Sequence, residues 1–156
     1  MDRAGIDKIA WKVMHDQVPV QGDPPGLADS RRPSNFQELG DLMQQNDDFE
    51  LSWSEFLHEF LRYKQVSFFA VPPPKVFSPG MRSMLAGAAE FMCTEFGLPI
   101  PEWVNEPEFT MPEPFEPYGW MYTGESEDDH QRRIAKAHPI FLKHNVVFAS
   151  RNLITV

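Results

Sequence analysis

The stretch Ser78-Pro79-Gly80-Met81-Arg82-Ser83-Met84-Leu85-Ala86-Gly87-Ala88-Ala89-Glu90-Phe91-Met92-Cys93-Thr94-Glu95-Phe96-Gly97 decides the fold class. Ser78 is a side-chain cap, and Pro79 takes the first helical position, where its missing amide would have been unbonded anyway. Gly97 supplies the left-handed residue on which helices end. Between these signals Met81, Met84, Leu85, Ala88, Phe91 and Met92 recur every three or four residues. That period predicts an amphipathic helix of about four turns with one face in a core.

On its N-terminal side further helices are expected. Ile6, Ile9, Ala10, Val13 and Met14 follow the same period, with Asp2 as cap and an end near Gln17 before Val18-Pro19. Residues 18–33 hold four prolines and the turn-like Gly22-Asp23-Pro24-Pro25-Gly26, which reads as a linker. Two capping boxes follow. Ser34-Asn35-Phe36-Gln37 opens a short helix near 35–46, and Ser52-Trp53-Ser54-Glu55 opens one over about 53–65 with Trp53, Phe56, Leu57, Phe60 and Leu61 on one stripe. Val66-Ser67-Phe68-Phe69-Ala70-Val71 is apolar and β-prone, and Pro72-Pro73-Pro74 stop it, so it reads as a strand or an extended buried segment.

On the C-terminal side the character changes. Six prolines lie from Pro99 to Pro117, interleaved with Trp103, Phe109 and Phe115, and followed by Tyr118, Trp120 and Tyr122. Fixed φ angles and missing amides exclude most regular structure there, yet the rings need burial. An irregular strap drawn over the helical core satisfies both demands. Ser126 then caps a polar helix running to about Ala137, with Asp128 and Asp129 in its first turn, where they favour the dipole. Asn145-Val146-Val147-Phe148-Ala149 has the pattern of a strand. The fold class expected is therefore mainly α, or α+β with at most a short two- or three-stranded element. Residues 1–33 would form an N-terminal helix and linker, and 34–156 a single globular domain.

Charge adds the strongest global clue. The 156 residues carry a net charge of −9, and between Arg82 and Arg132 there is no Lys or Arg while eleven acids fall in that window. The rest of the chain holds 14 basic and 12 acidic residues. Such a lopsided chain lacks the basic stripe that duplex binding needs, so a direct nucleic-acid partner is not expected. No run approaches 18 apolar residues, so no membrane span is expected. The single cysteine, Cys93, allows no internal disulfide, and no apolar leader follows Met1, so the cytoplasm is the expected location.

Catalytic and metal motifs are sparse. Glu55-x-x-His58 has the spacing of a di-iron bundle, but such sites use the motif twice with two further glutamates, and no second copy exists. Cys93 lies beside Met92 on the most apolar helix, where thiols are packing residues. Phosphate loops and nucleophile elbows are missing. No cofactor is expected. The sequence favours a non-enzymatic interaction module whose acidic strap docks a basic protein partner, where complementary charge speeds encounter and enforces partner choice. The residues assigned to that surface are Glu102, Glu106, Glu108, Glu113, Glu116 and Trp120, joined by Arg151 and Asn152 from the tail. The alternative is a small metal-dependent enzyme using His130, His138, Asp128 and Asp129.

Two segments resemble an uncharacterised bacterial family. One is Met81–Trp103, a helix closing in Phe96-Gly97-Leu98-Pro99-Ile100-Pro101-Glu102-Trp103. The other is Val147-Phe148-Ala149-Ser150-Arg151-Asn152-Leu153-Ile154. In that family a helix leads into a Gly-Leu-Pro-x-Pro-x-Trp turn, and the chain ends in a hydrophobic-Arg-Asn-hydrophobic tail. Its members accompany nucleotidyltransferase-like toxin genes or helix-turn-helix regulators, so the resemblance implies an antitoxin-like role.

Overall fold

A computed structural model describes residues 11–117 and 122–148. The described chain is mainly helical. Residues 11–16 (α1) are followed by α2 (Leu27–Ser30), α3 (Phe36–Asn46), α4 (Phe49–Tyr63), α5 (Pro79–Glu95), α6 (Glu127–Ala135) and α7 (Pro139–Lys143). Single 3-10 turns at Val66–Phe69, Glu102–Asn105 and Pro107–Phe109 punctuate the connections.

Helix α5 is the centre of the molecule, and its ends are built as its sequence predicts. The Ser78 side chain accepts from the Met81 amide, and Pro79 opens the helix. At the other end Leu98 N donates to Cys93 O at 2.8 Å and Gly97 N to Thr94 O at 3.4 Å, with Gly97 at φ +66. These paired bonds, one spanning six residues and one four, satisfy carbonyls the helix cannot. The burial of α5 exceeds a single face, since Ser83 through Glu90, together with Gly80, Met92 and Cys93, are all buried. Its small residues make that possible. A Cβ on Gly87 would lie 2.6 Å from Cδ1 of Phe141, and one on Gly80 would lie 2.5 Å from Cε2 of Phe115. The two glycines are thus the seats of α7 and of the strap.

Against α5 stands an aromatic cluster from α3, α4 and the turn after them. Phe36 stacks on Phe56 at 5.3 Å, and Phe60 lies 5.0 Å from Phe69. Phe56, Phe60, Phe68 and Phe69 are all fully buried. Offset and edge-to-face rings at these separations add to the area they remove from water.

Helix starts and β-prone segments depart from the sequence expectations. Helix α3 is capped by Asn35, whose side chain accepts from Glu38 N, one residue later than the predicted Ser34 box. Helix α4 begins at Phe49 under an Asp48 cap, so Ser52 is an interior residue, its hydroxyl bonded to Asp48 O at 2.8 Å. Starting four residues earlier lets Phe49 stack on Trp53 and meet Phe77 edge-on. Residues Val66–Phe69 form a 3-10 turn, not a strand. The turn brings both Phe68 and Phe69 against Phe56 and Phe60, whereas a strand would send the two neighbours to opposite faces. Among the described residues the only β pairing is an isolated parallel bridge between Phe115 and Val146.

Helix α1 and the segment after it are tied to the body. Trp11 meets the rings of Phe91 and Phe96, and Lys64 at the end of α4 donates through Nζ to the carbonyls of His15 and Gln17. Burial pushes the Lys64 ammonium below its ordinary range, with Asp16 opposing the shift. Val20 N bonds Arg62 O, and the Gln65 side chain bonds Gly22 O.

Candidate functional site

The strap is built from inward rings and outward acids. The indole of Trp103 donates through Nε1 to Phe69 O at 2.8 Å and packs edge-on against Phe109 at 4.9 Å. This bond answers a local shortage. Residues 72, 73 and 74 are all proline, so no amide just beyond the turn can reach the Phe69 carbonyl. Val104 and Phe109 are fully buried, and Phe115 is half-buried over Gly80.

The predicted partner-binding residues divide into three groups. Glu102, Glu106 and Glu113 are exposed, and their carboxylates form no hydrogen bond or ion pair with the described residues. Glu108 and Glu116 are engaged within the fold. Glu108 sits 3.4 Å from Nη1 of Arg82, a guanidinium that also donates to Pro73 O and covers the Phe109 ring at 5.0 Å. Glu116 accepts from Nη1 of Arg133 at 2.7 Å. Trp120, Arg151 and Asn152 lie outside the described residues.

Arg133 is the hub of a polar cluster that the sequence did not announce. Besides Glu116 it bonds Glu125, and its guanidinium lies 3.9 Å from the centre of the Tyr122 ring. His130 Nδ1 stands 3.0 Å from Glu125 Oε1. The hydrogen bond from Arg133 chiefly holds the Glu125 carboxyl below its usual range; desolvation opposes it, and His130 adds a smaller lowering. The same bond raises Arg133 above the ordinary guanidinium value. The cluster joins the end of the strap to α6, with the Arg133 guanidinium bonded to two carboxylates and laid on the Tyr122 ring.

A second cluster lies beneath the strap. Glu90 of α5, nearly buried, receives Lys143 Nζ at 2.9 Å on both oxygens and His144 Nε2 at 3.4 Å on Oε1. His144 is 2% exposed, and its Nδ1 is 2.8 Å from Phe109 O. A third set lies on α4, where Glu55 pairs with Arg32 at 3.0 Å instead of capping the helix. There Glu59, fully buried, accepts from Arg62, and its Oε2 has no hydrogen-bond partner among the described residues.

The alternative metal set does not assemble. His138 accepts from Ile140 N as the cap of α7 and meets Phe91 edge-on, Asp129 pairs with Arg132, and His130 belongs to the Glu125 cluster. Among the described residues no group of three or more His, Cys, Asp or Glu side chains is placed to hold a metal ion. Cys93 is fully buried, and burial pushes its thiol up to about 11, far from a nucleophile's range. Among the described residues no helix is long and apolar enough to cross a membrane.

Set against protein-family models, curated proteins and solved structures, the chain matches none of them. The class is therefore defined by the fold and surface alone: a small helical protein with an aromatic core, clustered ion pairs and an acidic strap.

Proposed function

We propose that this protein is a non-enzymatic interaction module, antitoxin-like or accessory in role, that docks a basic protein partner through the outer face of its strap. One observation carries the reading. The strap's backbone is pinned by the buried Trp103, Val104 and Phe109, while Glu102, Glu106 and Glu113 stand exposed with no described cation to neutralise them. Acids on a fixed backbone need little ordering on binding, and their common sign steers an oppositely charged surface. The likeness of Met81–Trp103 and Val147–Ile154 to the toxin-associated family supports the antitoxin-like role, and in that reading Trp120, Arg151 and Asn152 extend the surface. The lone buried Cys93 suits a reducing compartment such as the cytoplasm.

The test compares wild type with the triple charge reversal Glu102→Lys, Glu106→Lys, Glu113→Lys, each tagged and used to capture proteins from the native host. The expected result is one stoichiometric basic protein held by wild type at physiological salt. It should be lost at about 0.5 M salt, where the screening length falls to roughly 4 Å. The triple variant should unfold at an unchanged temperature and capture nothing. A partner held equally by the triple variant, or a wild-type chain that elutes alone, refutes the proposal.

A further inference from the structure

We propose that His144 is a proton-dependent latch that fastens residues 109–115 of the strap to α5 and α7. Each ring nitrogen of His144 faces an oxygen. Nδ1 lies 2.8 Å from the carbonyl oxygen of Phe109, an acceptor with no hydrogen to give. Nε2 lies 3.4 Å from Oε1 of Glu90, whose two oxygens both receive Lys143. A carboxylate gripped in this way is an acceptor too. An imidazole between two acceptors satisfies both only when it carries a hydrogen on each nitrogen. With one hydrogen, a lone pair faces an oxygen in a site from which water is excluded, since His144 is 2% exposed.

The position of the ring turns this chemistry into a fastening. Its side chain ties the strap to α5. Its own carbonyl accepts from Met111 N at 3.1 Å, and the neighbouring Asn145 donates through Nδ2 to Met111 O and accepts through its carbonyl from Phe115 N. Val147 N completes the ladder on Phe115 O at 2.8 Å. The second leg of the strap is thus hung on residues 144–147, and His144 is the member of that set with an ionisable side chain.

The charged groups around the ring are accounted for on each element. Glu90 faces it from α5 and Lys143 adjoins it on α7. On the strap, Glu108 is drawn to Arg82, while Glu113 is exposed and unbonded. When the proton leaves, it passes to solvent, and Lys143, half exposed, remains to neutralise Glu90. The carboxylate is never stranded, so loss of the proton loosens the strap leg without unfolding α5. The first leg, anchored by Trp103, has no such group and stays in place.

The test is site-resolved NMR on the intact chain across the range in which imidazoles titrate, roughly pH 5 to 8. Ring nitrogen shifts follow His144, and amide exchange, divided by intrinsic rates, follows the strap. Protection of Met111, Phe115 and Val147 is expected to fall about tenfold or more as the His144 ring loses its second hydrogen. Val104, whose amide bonds Pro101 O, should keep its protection. In His144→Gln the dependence on pH should vanish. Protection that stays flat through the His144 titration in wild type overturns the latch. So does a ring that carries a single hydrogen while the strap is fully protected. Both readouts stand even if the variant fails to fold.

Discussion

Replacing Trp103 with Phe isolates the bond on which the strap's first leg depends. The substitution keeps a ring edge-on to Phe109 but deletes the Nε1 donor 2.8 Å from Phe69 O. Because Pro72, Pro73 and Pro74 have no amides, nothing nearby can replace it. A buried carbonyl left unpaired costs about 1–3 kcal/mol. The smaller ring leaves a void worth roughly 1 kcal/mol more. The expected loss is therefore about 2–4 kcal/mol, a large share of a typical domain's stability of about 5–15 kcal/mol. In urea melts followed by far-ultraviolet circular dichroism, the midpoint should fall by roughly 1–2 M at an unchanged slope. Native-state exchange should show the lost protection first at Val104 and Glu106, whose amides bond within the Trp103 turn. A midpoint within about 0.3 M of wild type would refute the reasoning, since the Phe69 carbonyl would then have another donor.

Two further substitutions test the seats and the ion pairs. Gly87→Ala gains about 1 kcal/mol of helix propensity. It also drives a methyl to 2.6 Å from Phe141, which is fully buried and packed on Phe148 at 5.1 Å. Overpacking of about 1–3 kcal/mol should win, lowering the melting temperature, and Phe141→Leu in the same chain should cost less than the two changes summed. An alanine variant more stable than wild type would show that α7 is not seated on Gly87. For Glu125 the sign follows from a folded-state carboxyl held below its unfolded value. Its contribution is complete above the unfolded value of roughly 4.3 and is lost as pH falls through the folded one. The gap in melting temperature between wild type and Glu125→Gln should be open near pH 7 and narrow as the pH falls below the unfolded carboxyl value. A gap constant over that range contradicts the Arg133 assignment.

How far the sequence could be read depended on how local each signal was. The ends of α5 were legible because Ser78, Pro79 and Gly97 act within one turn of themselves. The starts of α3 and α4 were misplaced because the chain offers several caps in a row, Ser34 beside Asn35 and Asp48 ahead of Ser52. Which one closes the helix is settled by distant packing, as when Phe49 reaches Trp53 and Phe77. At 66–71 composition favours a strand, while the packing of both Phe68 and Phe69 on Phe56 and Phe60 draws the chain into a turn.

The candidate surface divides along the same line. That the strap would turn rings inward and glutamates outward could be read directly, since apolar area and charge sort themselves against water wherever the chain lies. Which glutamates stay free could not. Glu108 meets Arg82 across 26 residues and Glu116 meets Arg133 across 17, and the sequence carries no signal for either pairing. The same holds for Glu90, Lys143 and His144, brought together across 53 and 54 positions only because α7 seats on Gly87. By itself the sequence determined the presence of α3, α4, α5 and α6, the capping of α5 and the acidic, proline-stiffened character of the strap, all consequences of short-range sterics and of burial, while α2 and α7 went unread. Only the tertiary structure decided which charges neutralise one another and which stay unpaired among the described residues, because an ion pair depends on distance in space and the chain fixes that distance only when it packs.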